Sequence, residues 1–438
     1  MFMDHHLQPD SALELVVKRF FTVSVTVVAM AALLGAAGAF TGNHFLYRIH
    51  PYIFFIGFGN LAILLLNRYL TATIYPELVV DPEKQMRYIS SVLLALLSIT
   101  VAVFMEWPLL KAATGLFLMI LVSGPLREIF TTLSVGRIWK EVSVRYYIFD
   151  VLFLLNANLG LFALGLKEAF PHSGIIPFFV TQSAYFLGSS FPLSISVMGF
   201  LYTYAWRDSS KRALIRTLFS LWFYIFVGGV LIFLIVILVG NYFGMMLVSH
   251  ILLFGVMALL GSFALYLYNF FKTSFRHPAL AFLLSGLALL FATSAFGIMN
   301  IYYIKGIPFG FHPPIRIDKM WIYHSHTHAA LLGWITFSFI GMIYIVVPSI
   351  LRTASLEKLG SEQALSELLD GRTMKKAFRQ LTFMLLSSTG VLLGFFLDSG
   401  MLLGSAGVVF GCCVAYLLKN LNTELYRENL IKLETHAK

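Results

Sequence analysis

The sequence predicts an all-α polytopic membrane protein, one bundle of about twelve transmembrane helices. Three observations carry that expectation. Of the 438 residues, 59% are hydrophobic and 12% charged, and the mean hydropathy of +0.83 excludes a water-soluble domain. The apolar residues cluster into windows of about 20, the length that crosses a bilayer core. Lys and Arg concentrate in alternate connections, as they do on the cytoplasmic side of membrane proteins.

The first run, 20–40, follows a polar stretch with no small-residue cleavage site behind it, so it reads as a retained helix rather than a signal peptide. Apolar windows then place helices at 47–66, 88–106, 108–125, 145–165, 174–204, 214–239, 242–271, 279–302, 321–348, 379–398 and 401–419. With both termini cytoplasmic, as in a bacterial-type inner membrane, the inside segments hold Lys18 and Arg19, then Arg68, Lys84 and Arg87, then Arg127 to Arg145, and so on to Lys438. Of the 31 Lys and Arg, only Arg48, Lys111, Lys167, Lys305, Arg316 and Lys319 fall outside. The net charge of +10 is thereby explained by topology and anionic lipid, and nucleic acid is not implied.

Two connections are long. The inside loop 349–378 reads as a surface amphipathic helix ended by Gly371, and the outside loop 303–320, with Pro308, Pro313 and Pro314, as a rigid cap over the tenth helix. Residues 420–438 read as a cytoplasmic tail. The adjacent Cys412 and Cys413 point in different directions on a helix and read as packing residues.

The histidines carry the chemistry. His5, His6, His172, His277 and His436 fall in tails or loops and read as solvated. His44, His50, His250, His312, His324, His326 and His328 gather toward the outer side. Ionisable groups in the apolar layer point to function. On a helix His326 faces away from His324 and His328, so one helix can offer ligands on two sides. Haem iron, copper and zinc all accept imidazole, but the surrounding Phe, Tyr, Met, Ala and Gly suit a flat apolar macrocycle, with Gly57, Gly59 and Gly333 where its plane meets a helix. Arg48 and Arg316 are candidates for neutralising haem propionates, and both also suit headgroup anchoring.

The run His326, His328, Ala329, Ala330, Leu331, Leu332, Gly333 and Trp334, followed by Phe337, Gly341, Tyr344 and Pro348, resembles the tenth helix of the catalytic subunit I of heme-copper oxidases, closest to the C-type oxidase and nitric oxide reductase branch. Pro278 to Phe296 resembles the preceding helix, and Arg48 and His50 with Phe55, Phe58, Gly59 and Asn60 resemble the second. The resemblance implies a subunit I-like bundle holding two haems, b-type in our reading, with His50 and His328 on a low-spin iron and His326 on its high-spin neighbour. The sequence departs from the family where copper should bind. Residues 174–240 contain no histidine, and Thr181 to Tyr185 and Trp222 to Val230 offer amide and hydroxyl groups that hold copper poorly, so copper is expected to be absent.

The function expected is a haem-binding respiratory-type membrane protein, divergent at the copper site, that transfers electrons or binds oxygen or nitric oxide. Alternatives are a reductase whose metal centre is rebuilt through His250 and His324, a nitric-oxide-response membrane protein of the NnrS type, and a metal- or proton-linked transporter. Electrons would come from a partner subunit or quinol, since no CxxCH segment attaches haem c. Asp150, Asn156 and Asn158 are the polar groups of the fifth helix from which a proton path could be built.

Overall fold

The structure, a computed structural model, describes residues 11–78, 80–174, 193–207, 212–274, 277–306, 310–312, 318, 320–353 and 368–436. Among these, helices dominate and no strand occurs. Among the described residues, eleven helices are long and apolar enough to cross a membrane: α1 (Ser11–Thr41), α2 (His44–Ile74), α3 (Pro82–Phe104), α4 (Pro108–Thr132), α5 (Val142–Ala169), α7 (Arg212–Leu238), α8 (Tyr242–Ser274), α9 (Pro278–Lys305), α10 (Met320–Thr353), α11 (Gly371–Leu397) and α12 (Gly400–His436). The twelfth expected span, 174–204, is described only from Leu193, where α6 (Ser194–Arg207) begins.

α10 is the central helix. Of its most apolar window 89% is buried, against 17% for α8, so α10 is enclosed by protein where α8 is left exposed. It packs on α9, and α2 lies across α1, α3 and α5. With no hydrophobic drive between helices in lipid, close backbone approach supplies the contact. α4 and α5 show this, because a Cβ on Gly115 would stand 2.4 Å from the Phe162 nitrogen and one on Gly165 2.4 Å from that of Ala112. Arg68 pairs with Glu128 at 2.6 Å and Lys111 with Glu168 at 2.5 Å, so two buried cations are neutralised between helices.

The helices that carry the expected iron ligands are not uniformly α-helical. α2 is capped by Asn43, whose side chain accepts from Phe45 and Leu46, and runs as an α-helix to Tyr52 before widening into π-helical turns at Ile53–Gly59 and Ala62–Asn67. Pro51, which has no N–H to donate, precedes the first widening. α10 does the same directly after His328, over Ala329–Ile335. Such wide turns are rare and are frequent at functional sites.

Two expectations, on Gly371 and His277, are corrected. Gly371 does not end a helix: Asp370 caps the next one, accepting from the Thr373 N–H at 2.6 Å, and Gly371 is its first residue. Residues 420–436, within the expected tail, continue α12 as helix. His277 is buried, not solvated, at the start of α9, where Pro278 occupies the first turn. The amphipathic segment 354–367 and most of the cap 307–319, including Arg316, lie outside the described residues.

Candidate functional site

The two faces expected of the histidine helix are realised. His324 and His328 turn toward α11, where the Phe395 ring lies 5.2 Å from the first, stacked, and 4.6 Å from the second. His326 turns to α9, and its Nδ1 lies 2.8 Å from the Thr293 carbonyl. A Cβ on Gly297 would stand 2.9 Å from the His326 ring, so only a glycine lets the imidazole lie this close to α9.

His50 stands across from His328. Their ring centres are 6.4 Å apart and their planes differ by 30°. Two imidazoles that bind one ion from opposite sides, with metal–nitrogen bonds of about 2.0 Å, have centres about 6.3 Å apart, whereas a tetrahedral pair would stand about 5 Å apart. Each Nδ1 is already held within its own helix, that of His50 by the Leu46 carbonyl at 3.2 Å and that of His328 by the His324 carbonyl at 2.8 Å. A carbonyl can only accept, so Nδ1 carries the proton and Nε2 keeps its lone pair, the tautomer a metal ligand needs. Gly35 on α1 stands behind His50, where a Cβ would come within 3.2 Å of the ring. Below the pair, Phe58 and Phe339 meet at 4.7 Å and join α2 to α10.

His326 is hydrogen-bonded in the same sense and also keeps Nε2 free. His250 differs. Its Nδ1 lies 2.7 Å from the Met246 carbonyl and its Nε2 2.6 Å from the Tyr302 hydroxyl, so both nitrogens are engaged. His250 thus faces α9 through Tyr302 while His324 faces α11 through Phe395, and the two histidines considered for a rebuilt metal centre are turned to different neighbours. Arg48 is paired with Glu106 at 2.7 Å on the exposed surface. Gly57 and Gly333 serve helix packing, against Val27 and Leu289.

Several contributors escape sequence reasoning. Gly35, Gly297, Thr293, Phe395 and Tyr302 act across helices, and no local pattern marks them. Trp321 and Ser325 belong with them: on α10 beside the histidines, the indole Nε1 and hydroxyl Oγ are buried with no hydrogen-bond partner.

Comparison of the chain with protein-family models and with curated proteins yields no match.

Proposed function

We propose that the protein is a two-haem membrane protein of subunit I-like architecture that exchanges electrons or binds a diatomic gas, oxygen or nitric oxide. The observation that carries this reading is the 6.4 Å approach of the His50 and His328 rings across two helices, each with Nδ1 held by a backbone carbonyl. His50 and His328 would hold one haem iron, and His326, whose ring lies against α9, would hold the second. Bound haems would supply one-electron exchange and the binding of a diatomic gas.

The protein's own groups do the rest. The carbonyls of Leu46, His324 and Thr293 hold the three imidazoles in one tautomer and orientation. Phe395, stacked on His324 and 4.6 Å from the His328 ring, covers the α11 side of the pair. Trp321 and Ser325 offer buried donors to carboxylate oxygens such as propionates. The basic residues, by their distribution, set the histidine end outward and both termini in the cytoplasm. Electrons reach the site from quinol or a partner subunit.

The test is the spectrum of the purified protein. Two haems b per chain are expected, one with a six-coordinate low-spin spectrum and one that shifts with carbon monoxide, and copper well below one equivalent. A colourless protein overturns the reading.

A further inference from the structure

Asp150 is fully buried in the membrane-spanning part of α5, and among the described residues its partners are uncharged. Such a carboxyl is costly in an apolar layer unless something uses it. Both of its oxygens accept from the backbone N–H of Leu193, at 2.8 and 2.9 Å, and the Ser196 hydroxyl donates to Oδ2. Leu193 has a left-handed φ of 63°, and α6 starts at the next residue, so Asp150 caps α6 from a neighbouring helix.

A second observation lies beside the cap. Asn67, at the end of the second π-helical stretch of α2, places its Nδ2 3.3 Å from Asp150 Oδ2, while its buried Oδ1 has no partner. An amide is a two-way partner. In one orientation its NH2 donates to a carboxylate, and turned over its oxygen accepts from a carboxylic acid. The Asn67 amide can therefore satisfy Asp150 in either protonation state, whereas the Leu193 N–H can only donate and favours the anion, as the Ser196 hydroxyl does in its donating position. The cap also reaches the histidine helix, because Trp334 Nε1 donates to the hydroxyl of Ser194, the first residue of α6.

We infer that Asp150 is a proton-binding site inside the bilayer, and that α6 responds to its occupancy and passes the change to Trp334 on α10. When the proton binds, the carboxyl loses acceptor strength toward Leu193, Asn67 turns to accept the new O–H, and the start of α6 loosens. The tight cap is thus present above the titration of Asp150 and is lost as pH falls through it. Among the described residues, the charged groups of the neighbouring elements are engaged elsewhere. On α5, Arg145 is bonded to Ser220 and Tyr224 of α7, and the Tyr146 hydroxyl donates to the Phe219 carbonyl. Arg68 of α2 is paired with Glu128 of α4, and Lys111 of α4 with Glu168 of α5. Other titratable side chains of the elements around the cap include Tyr147 on α5, His50 and Tyr69 on α2, Tyr202 on α6, and Tyr323, His324, His326, His328 and Tyr344 on α10, while the side chains bonded to Asp150 are those of Asn67 and Ser196. This inference is independent of what the histidines bind.

Infrared titration of the full-length protein in lipid nanodiscs tests it. The carbonyl stretch of a buried carboxylic acid should appear as pH falls, shift in D2O, and vanish in Asp150→Asn. Ser196→Ala, which removes one donor to the anion, should move the titration to higher pH by tenfold or more in proton affinity, from a charged hydrogen bond of about 1.5–3 kcal/mol. Backbone hydrogen exchange at Leu193 to Ser196 should rise with the same midpoint. A carboxylate that stays ionised between about pH 5 and 9, within which buried carboxyls are documented to titrate, overturns the proposal. So does an unshifted midpoint in Ser196→Ala, or an exchange rate at the start of α6 that ignores the titration.

Discussion

His328 and His250 are the same residue type within membrane helices, and each ring holds a backbone carbonyl four residues back through Nδ1. What separates them is the other nitrogen. His328 keeps Nε2 free and faces a second imidazole at a ring spacing of 6.4 Å, while His250 has given Nε2 to the Tyr302 hydroxyl. Ligand competence is therefore a property of the ring's second nitrogen and of what stands opposite it, not of histidine in a membrane helix.

The largest effect expected from that difference follows from removing each imidazole in turn. His50→Ala or His328→Ala should cut bound haem from two to one per chain and abolish the low-spin spectrum, because one axial bond does not hold a six-coordinate iron. His250→Ala should leave both haems and their spectra in place. Quantifying haem by pyridine haemochrome in the three variants decides it. A wild-type low-spin spectrum in His328→Ala, or loss of haem in His250→Ala, would break the comparison.

The contrast also marks what the sequence could reveal. The helical spacing of His324, His326 and His328 on an apolar run is enough to give two opposed faces, and those faces appear as expected. Membrane class and most helix positions were equally legible, since a bilayer imposes length and polarity on each span separately. Partners were not legible. That His50 meets His328, that Gly297 makes room for His326 and that Tyr302 takes His250 depend on helix packing between positions far apart in the chain, about which one sequence is silent. The π-helical turns were missed for a related reason: Pro51 marks the first, but nothing in Ala329 to Ile335 distinguishes a wide turn from an ordinary one.

A smaller effect is expected at the second candidate iron ligand. Gly297→Ala places a methyl group 2.9 Å from the His326 ring, so the imidazole must move or α9 must back away. Overpacking of this kind costs about 1–3 kcal/mol. The carbon-monoxide-sensitive haem should shift its absorption or fall in occupancy, with the His50 and His328 spectrum unchanged. If both haems respond alike, the two faces of α10 are not independent sites.

The smallest effect comes from making His250 resemble its counterpart. Tyr302→Phe removes the hydroxyl and frees Nε2, at a stability cost near that of one ordinary hydrogen bond, about 1 kcal/mol. If a free nitrogen alone made a ligand, this variant would gain an iron site. The structure argues otherwise, because the His250 ring contact is with Tyr302 and not with a second imidazole across a metal-sized gap. Haem content should therefore stay at the wild-type value and the carbon monoxide spectrum should not move, while the unfolding midpoint drops slightly. A third haem, or conversion of the carbon-monoxide-reactive haem to a six-coordinate form in Tyr302→Phe, would show that His250 lies within reach of iron and that Tyr302 holds it back.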